Sequence, residues 1–228
     1  MLRKAVLLLP LLLLCLCLQA QNGDVRQRVR LTTSYGDIVI ALSDSTPQHR
    51  DNFLRLVREH YYDSLLFHRV ISDFMIQTGD PDSRHAAPTD TLGDGGPGYT
   101  IPAEICLPAL FHKRGAVAAA RESDEVNPER ASSGSQFYIV WGRMLSQGAI
   151  NKYRKRLEAR SNGRYTITPE MEETYALHGG SPHLDGEYTV FGEVVEGLDV
   201  VDNIQIADCD DLDRPLADLW ILKAVVEP

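Results

Sequence analysis

Cysteine is scarce: the 228 residues hold four, and two of these, Cys15 and Cys17, fall within the first twenty. The other two, Cys106 and Cys209, are too few for a disulfide scaffold, so the core has to come from burial. Neither paired-cysteine spacing nor a His-Glu-x-x-His stretch occurs, which removes the common zinc patterns. No metal and no cofactor is expected. The Gly-x-Ser-x-Gly elbow of a serine hydrolase is missing too. A glycine-rich run spans Gly93 to Gly98, but no Gly-Lys-Ser/Thr follows, so it reads as turn chemistry rather than a phosphate cradle. Basic residues are in the minority, 23 Lys and Arg against 32 Asp and Glu, a formal −9. That balance argues against nucleic-acid binding, which depends on clustered cations. Internal repeats and low-complexity linkers are also missing.

The longest apolar run sits at the start. Met1-Leu2-Arg3-Lys4 is a short basic head, Ala5 to Leu18 is apolar, and Ala20 offers a small residue for cleavage. The run is shorter than the roughly 20 residues that span a bilayer, and Pro10 interrupts it, so stable membrane insertion is not expected. The pattern predicts a signal peptide over 1–20 and a mature chain from near Gln21, periplasmic or secreted. Lipid attachment at Cys15 or Cys17 is the competing reading, disfavoured because leucine precedes each. Without Arg3 and Lys4 the 23 basic side chains become 21 against 32 acidic, a formal −11. Residues 21–228 are expected to form a single domain.

From Val25 the pattern turns to β. Val29, Leu31 and Thr33 alternate with Arg28, Arg30 and Thr32, and Tyr35-Gly36-Asp37 leads into Ile38–Leu42, a hairpin signal. Thr46-Pro47 offers a capping hydroxyl and a first-turn proline. Phe53, Leu56, Val57, His60 and Tyr61 then recur at helical spacing, predicting a helix over about 47–60. A second helix is expected over Gly197–Ile206 with Leu198, Val201 and Ile204 inward, and a last strand over Leu219–Val226. Between 142 and 181 a basic stretch precedes Thr168-Pro169-Glu170, whose capped start, acidic first turn and Gly179-Gly180 stop predict a short helix.

Two stretches carry the chemistry. Phe67-His68-Arg69-Val70-Ile71-Ser72-Asp73-Phe74-Met75-Ile76-Gln77-Thr78-Gly79-Asp80-Pro81 reads as two short strands around a polar corner at Ser72-Asp73. On its own, Arg69 would be a solvated strand residue. Ser133-Gly134-Ser135-Gln136-Phe137-Tyr138-Ile139-Val140 alternates, with Gln136, Tyr138 and Val140 on one face. Both stretches closely resemble the signatures of the cyclophilins, peptidyl-prolyl cis–trans isomerases. Gly115–Arg121 and His183–Val194 are similar to the family as well, so the resemblance covers roughly 28–141 and 182–227.

The resemblance implies a mainly β fold, a closed eight-stranded antiparallel barrel capped by two α-helices, here with a helical insertion over about 142–181. It implies isomerase activity on X–Pro bonds that assists folding of exported proteins. Arg69 would be catalytic. Phe74, Met75, Tyr138 and Leu184 would form the proline socket, and Gln77, Ala120, Arg121, Gln136, His183 and Tyr188 would line the groove. Arg121 stands where many eukaryotic members carry Asn, Tyr138 where Phe is more usual, His183 replaces a tryptophan of many animal members, and Tyr188 replaces a histidine. The implied partners are proline-containing segments of unfolded or exported proteins, bound by a monomer. Because relatives fold without a disulfide, Cys106 and Cys209 are expected to be unpaired, buried thiols. A non-catalytic chaperone or scaffold on the same fold is the alternative; it would predict loss of Arg69 or the socket, and both are present. The insertion reads either as a solvated helical excursion or as a lid or docking surface whose basic face meets anionic partners.

Overall fold

Alternation in the first two strands sets the frame of the computed structural model, which describes residues 26–228. In chain order the elements are β1 (Arg28–Thr33), β2 (Gly36–Leu42), α1 (Pro47–Arg58), β3 (Leu65–Leu66), β4 (Arg69–Ile71), β5 (Met75–Thr78) and a 3₁₀ turn (Pro81–His85). Then come β6 (Thr100–Ile101), β7 (Ala116–Ala119), β8 (Ser132–Ser133), β9 (Phe137–Val140), α2 (Gln147–Arg160) and α3 (Pro169–Leu177). A second 3₁₀ turn (Pro182–Leu184), β10 (Val190–Glu196), α4 (Leu198–Gln205) and β11 (Trp220–Val226) complete the chain. The expected leader lies outside the described residues. Among those described, no helix is long and apolar enough to cross a membrane.

The expected closed eight-stranded barrel is corrected. One antiparallel sheet runs through nine strands in the order β3-β11-β1-β2-β10-β7-β9-β5-β4, and its two terminal strands are not paired with each other. The reason lies in Leu65–Ile71. Phe67 and His68 interrupt that run and are both buried, so its halves pair with different neighbours, β3 with β11 and β4 with β5. The product is a curled half-barrel, with β6 and β8 as a separate two-stranded sheet.

Inside the curl lies the main core, built from Leu31, Ile38, Ile40, Val117, Phe137 and Ile139 with their neighbours. Two helices close it. From α1 come Phe53, Leu54, Leu56 and Val57, whereas His60 falls past the helix end, exposed and in left-handed backbone. From α4 come Val200, Val201 and Ile204; Leu198, expected inward, is exposed. The Thr46 hydroxyl does not cap α1. Glu104, more than fifty residues on, accepts instead from the Gln48 and His49 backbone N–H groups at 3.2 and 3.0 Å.

The insertion carries both α2 and α3, a helix more than the sequence signals named, and has a core of its own. Ile150, Leu157, Ile167, Met171 and Tyr175 pack together with Phe111. Ser146 caps α2 and Thr168 caps α3 through their side chains. The feet of the insertion meet: a Cβ on Gly142 would lie 2.3 Å from the Gly180 carbonyl oxygen. Cys106 and Cys209 are unpaired, as expected, but half-buried rather than buried.

Candidate active site

Strand register assembles the site on the outer face of the sheet, opposite the main core. Arg69 pairs with Gln77 across β4 and β5, Gln77 with Tyr138 across β5 and β9, and Tyr138 with Ala118 across β9 and β7. One row therefore runs from a guanidinium through an amide to a phenol. The next row on that face is apolar, Ile71 opposite Met75 and Met75 opposite Val140. The corner between β4 and β5 holds Asp73 in left-handed backbone and takes in Phe74 as well. Gln205 at the end of α4 fixes it, its Oε1 accepting from the Asp73 N–H at 2.7 Å. A cavity of about 480 Å³ opens over these rows, a size suited to a small apolar group with its flanking backbone.

Arg69, Phe74, Met75, Gln77, Ala120, Arg121, Tyr138, Leu184 and Tyr188 all line that cavity. Phe74, Leu184, Tyr188 and Ala120 pack against the buried Met75, Tyr138 and Val140 to make its apolar side. Arg69 forms the polar edge, with its side chain 42% exposed. Its Nε donates to Asp213 at 3.3 Å and its Nη1 to Gln77 Oε1 at 3.5 Å, both long, so the guanidinium is aimed without being saturated. From Gln77 the chain continues in one direction. Gln77 Nε2 donates to Gln136 Oε1 at 3.0 Å, and Gln136 Nε2 donates to the Gly93 and Gly95 carbonyls at 2.7 and 2.8 Å.

His183 stands apart from the cavity wall, and Gln136 lines the adjoining groove, which shares Gln77, Ala120 and Arg121 with the cavity. Gln136 is buried, and its amide is committed to the 93–95 loop and to Gln77. His183 is exposed and packs behind Phe74, their ring centres 5.2 Å apart. Arg121 lies in the wall as a clamp rather than a free cation. It donates to the Glu187 and Glu122 carbonyls, pairs with Asp124 at 2.7 Å, and covers the Tyr188 ring at 4.5 Å. The Tyr138 phenol is buried and its pKa is pushed well above 10 by that burial.

Sequence reasoning missed the far side of the cavity. Pro88 to Asp94 roof it, Asp210, Leu212 and Arg214 wall it, and His68 lies in its lining. The roof is tethered by the fully buried Asp80, which accepts from Gly93 N–H at 2.5 Å; a Cβ on Gly95 would lie 2.1 Å from the same carboxylate. The available signal was Gly79-Asp80-Pro81 followed by a second glycine run, a buried acid with a loop to receive it. Asp213, which orients Arg69, is 144 residues away along the chain and left no local signal.

The antiparallel half-barrel thus carries on the outer face of its sheet an apolar cavity with a cationic edge. The comparisons give its class. Residues 28–226 match the family described as "Cyclophilin type peptidyl-prolyl cis-trans isomerase/CLD". The chain is 32% identical over 211 residues to a protein of Staphylococcus haemolyticus named as a peptidyl-prolyl cis-trans isomerase, covering 92% of this chain and 94% of that one. It is 35% identical over 201 residues to a Streptococcus pyogenes protein named as a bifunctional phosphatase/peptidyl-prolyl cis-trans isomerase, covering 85% of this chain but only 37% of that relative. A cyclophilin-type isomerase of Cryptosporidium parvum shares the fold, with a TM-score of 0.64 at 24% identity over 89% of this chain and 98% of that one. The chain belongs to the cyclophilin-type peptidyl-prolyl cis–trans isomerase family, and its activity is that of a peptidyl-prolyl cis–trans isomerase.

Proposed function

We propose that Arg69 drives the isomerisation while Phe74, Met75, Tyr138 and Leu184 hold the proline ring, on proline-containing segments of unfolded exported proteins. An X–Pro bond faces a barrier of about 18–20 kcal/mol because the amide is resonance-stabilised. Rotation needs no nucleophile and no proton transfer; it needs an environment that favours the twisted amide over the planar ones. The guanidinium at the edge of the apolar cavity carries this reading. Its charge is permanent, and its planar fork can donate to the prolyl carbonyl and to the nitrogen as conjugation is lost. A hundred-thousand-fold acceleration requires about 7 kcal/mol, and one charged hydrogen bond supplies about 1.5–3. Tight seating of the twisted conformer supplies the rest. The Cryptosporidium parvum protein has also been solved in the presence of the dipeptide Ala-Pro, with a TM-score of 0.63 and 25% identity, and that ligand class suits this cavity.

The basic head and short apolar run over 1–20 support export, with the mature chain acting as a soluble monomer in the periplasm or outside the cell. Turnover of a short X–Pro peptide by chain purified from Gln21 onward tests the activity on a defined substrate; a folded protein with no turnover would leave a peptide-binding scaffold. N-terminal sequencing of exported material tests the location, and an intact Met1 would overturn it.

A further inference from the structure

We propose that the 142–181 insertion is a buttress that sets the shape of the proline socket, with Tyr175, Asp185, His112 and Arg160 as its positioning residues. The inference rests on reading the cavity as that socket. Two connections, which meet at Asp185, join the insertion to the cavity walls.

The first is a buried chain of hydrogen bonds. Tyr175 of α3 donates its hydroxyl to Asp185 Oδ2 at 2.6 Å. Asp185 Oδ1 accepts from the backbone N–H of His112 and from its Nδ1, each at 2.9 Å. His112 Nε2 lies 3.0 Å from the Tyr138 hydroxyl. Asp185 and Tyr175 are 0% exposed, His112 1% and Tyr138 5%. A carboxylate so deep is tolerated only when donors surround it, and three do. Its acceptance of Nδ1–H orients the imidazole, and His112 Nε2 and the Tyr138 hydroxyl share the last hydrogen bond of the chain. Tyr138 is thereby held at its outer end, while His112 stacks on it and both rings meet Tyr188 edge-on. A phenylalanine at 138 would have no such tether.

The second connection is Arg160, at the end of α2. It donates to the carbonyls of His183, at 2.9 Å, and Asp185, and pairs with Glu187 at 3.1 Å. These backbone groups flank Leu184 and precede Tyr188, two cavity-lining residues that pack against the cluster of Met75 and Tyr138. Glu187 also receives Arg130 at 2.8 Å and Arg121 at 3.5 Å, so the same carboxylate ties α2 to the clamp over Tyr188. Arg160 is spent on the cavity-wall backbone here, and Arg154 on Glu172 and the Ile167 carbonyl, while Arg143, Arg156 and Arg164 stay exposed.

The test is a set of single and double variants followed by three readouts: affinity for an X–Pro peptide by titration calorimetry, KM against kcat, and the Tyr138 ring-proton resonances, assigned by difference from Tyr138→Phe. Tyr175→Phe removes one hydroxyl from a well-packed ring and keeps the fold; Arg160→Ala removes the second tie. Each is expected to weaken peptide binding and raise KM about five- to twentyfold with kcat changed less than twofold, and Tyr175→Phe to shift the Tyr138 resonances. In a Tyr138→Phe background, Tyr175→Phe is expected to add less than twofold, because its route to the wall ends at the missing hydroxyl. Folded single variants with wild-type KM, affinity and Tyr138 resonances would overturn the inference, and so would full additivity in the double variant. A wild-type protein that neither binds nor turns over the peptide would instead sink the isomerase reading, and the Tyr138 resonances would still decide whether the insertion positions that ring.

Discussion

At the scale of the residue, the site turns on how much of Arg69 is left uncommitted. Its two hydrogen bonds are at 3.3 and 3.5 Å, so it is oriented by Asp213 and Gln77 yet retains donors for a substrate. Arg69→Ala is expected to lower kcat by one to two powers of ten, about 1.5–3 kcal/mol, with a far smaller change in peptide affinity. Arg69→Lys is expected to recover little, since an ammonium cannot reproduce the fork. Kinetics on an X–Pro peptide with circular dichroism as a folding control check both, and full activity in a folded Arg69→Ala protein would remove the mechanism. The same scale governs inhibitor binding. The resemblance to the cyclophilins implies that His183 takes the place of the indole that anchors cyclosporin in sensitive members; it is exposed and packs behind Phe74. Weak cyclosporin binding is expected in the wild type and a gain in His183→Trp; no gain would place the resistance in another part of the surface. Gln136 shows where single-residue reading stops. An amide on the correct strand face was legible, but its use as a strut for the 93–95 loop depends on partners about forty residues away.

At the scale of the element, local pattern and long-range partner divide the explanation. Both strands of the first hairpin, the start of α1 at Pro47 and the face assignment in β9 follow from period and turn chemistry, and all were legible. The interruption of the sheet at Phe67-His68 was not, because apolar and β-branched residues run on through it and only the partners of each half reveal the break. Nor was α2 as a separate helix, since its apolar face is narrow, with Ile150 and Leu157 alone buried. The N-terminus of α1 is the clearest case. Thr46-Pro47 has the local signature of a cap, yet Glu104 does the work from a distant loop. Burial pushes the pKa of Glu104 up, but the hydrogen bonds from the His49 side chain and from the backbone N–H groups of His49 and Gln48 outweigh it and hold the carboxyl below its ordinary value. At His49 burial dominates and lowers the pKa despite Glu104, so at neutral pH the contact is a neutral imidazole donating Nδ1–H to a carboxylate at 2.6 Å. Removing this cap in Glu104→Ala is expected to destabilise the fold by about 1–2 kcal/mol, whereas Thr46→Val should cost less. In a chain of this size that is a fall in Tm of several degrees. Equal effects of the two variants in thermal melts would return the capping role to Thr46.

At the scale of the whole molecule, acid stability separates groups that neither fold nor site makes obvious. His68 is 3% exposed and neither ring nitrogen has a hydrogen-bond partner. Burial brings its pKa down to about 4; Asp80 and the neighbouring Gln136 amide act in the opposite direction, while the charges of Arg69 and Arg214 add to the fall. The unfolded chain takes up that proton near pH 6.5, and the folded protein does so only near 4. Stability from this residue is therefore fully present above about 6.5, and it is lost as pH falls through 4. The shift corresponds to about 3 kcal/mol, a large share of the 5–15 kcal/mol typical of a domain. His49, also lowered chiefly by burial, adds to the loss in the same direction. Glu104 and Glu193, both held below their ordinary values, add theirs only at lower pH, once the unfolded carboxylates begin to protonate. Net charge works the other way: the full chain carries a formal −9 at pH 7 and approaches neutrality near pH 5.2, which relieves self-repulsion over the same interval. Wild-type stability alone thus mixes two opposed trends, and a difference measurement separates them. Urea unfolding at pH 7.5, 6, 5 and 4 is expected to show wild-type stability falling faster than that of His68→Leu, the difference between them changing by about 3 kcal/mol across the series. Parallel curves for the two proteins would mean that His68 takes its proton in the folded state as readily as in the unfolded one, and that its two bare nitrogens are reached by water.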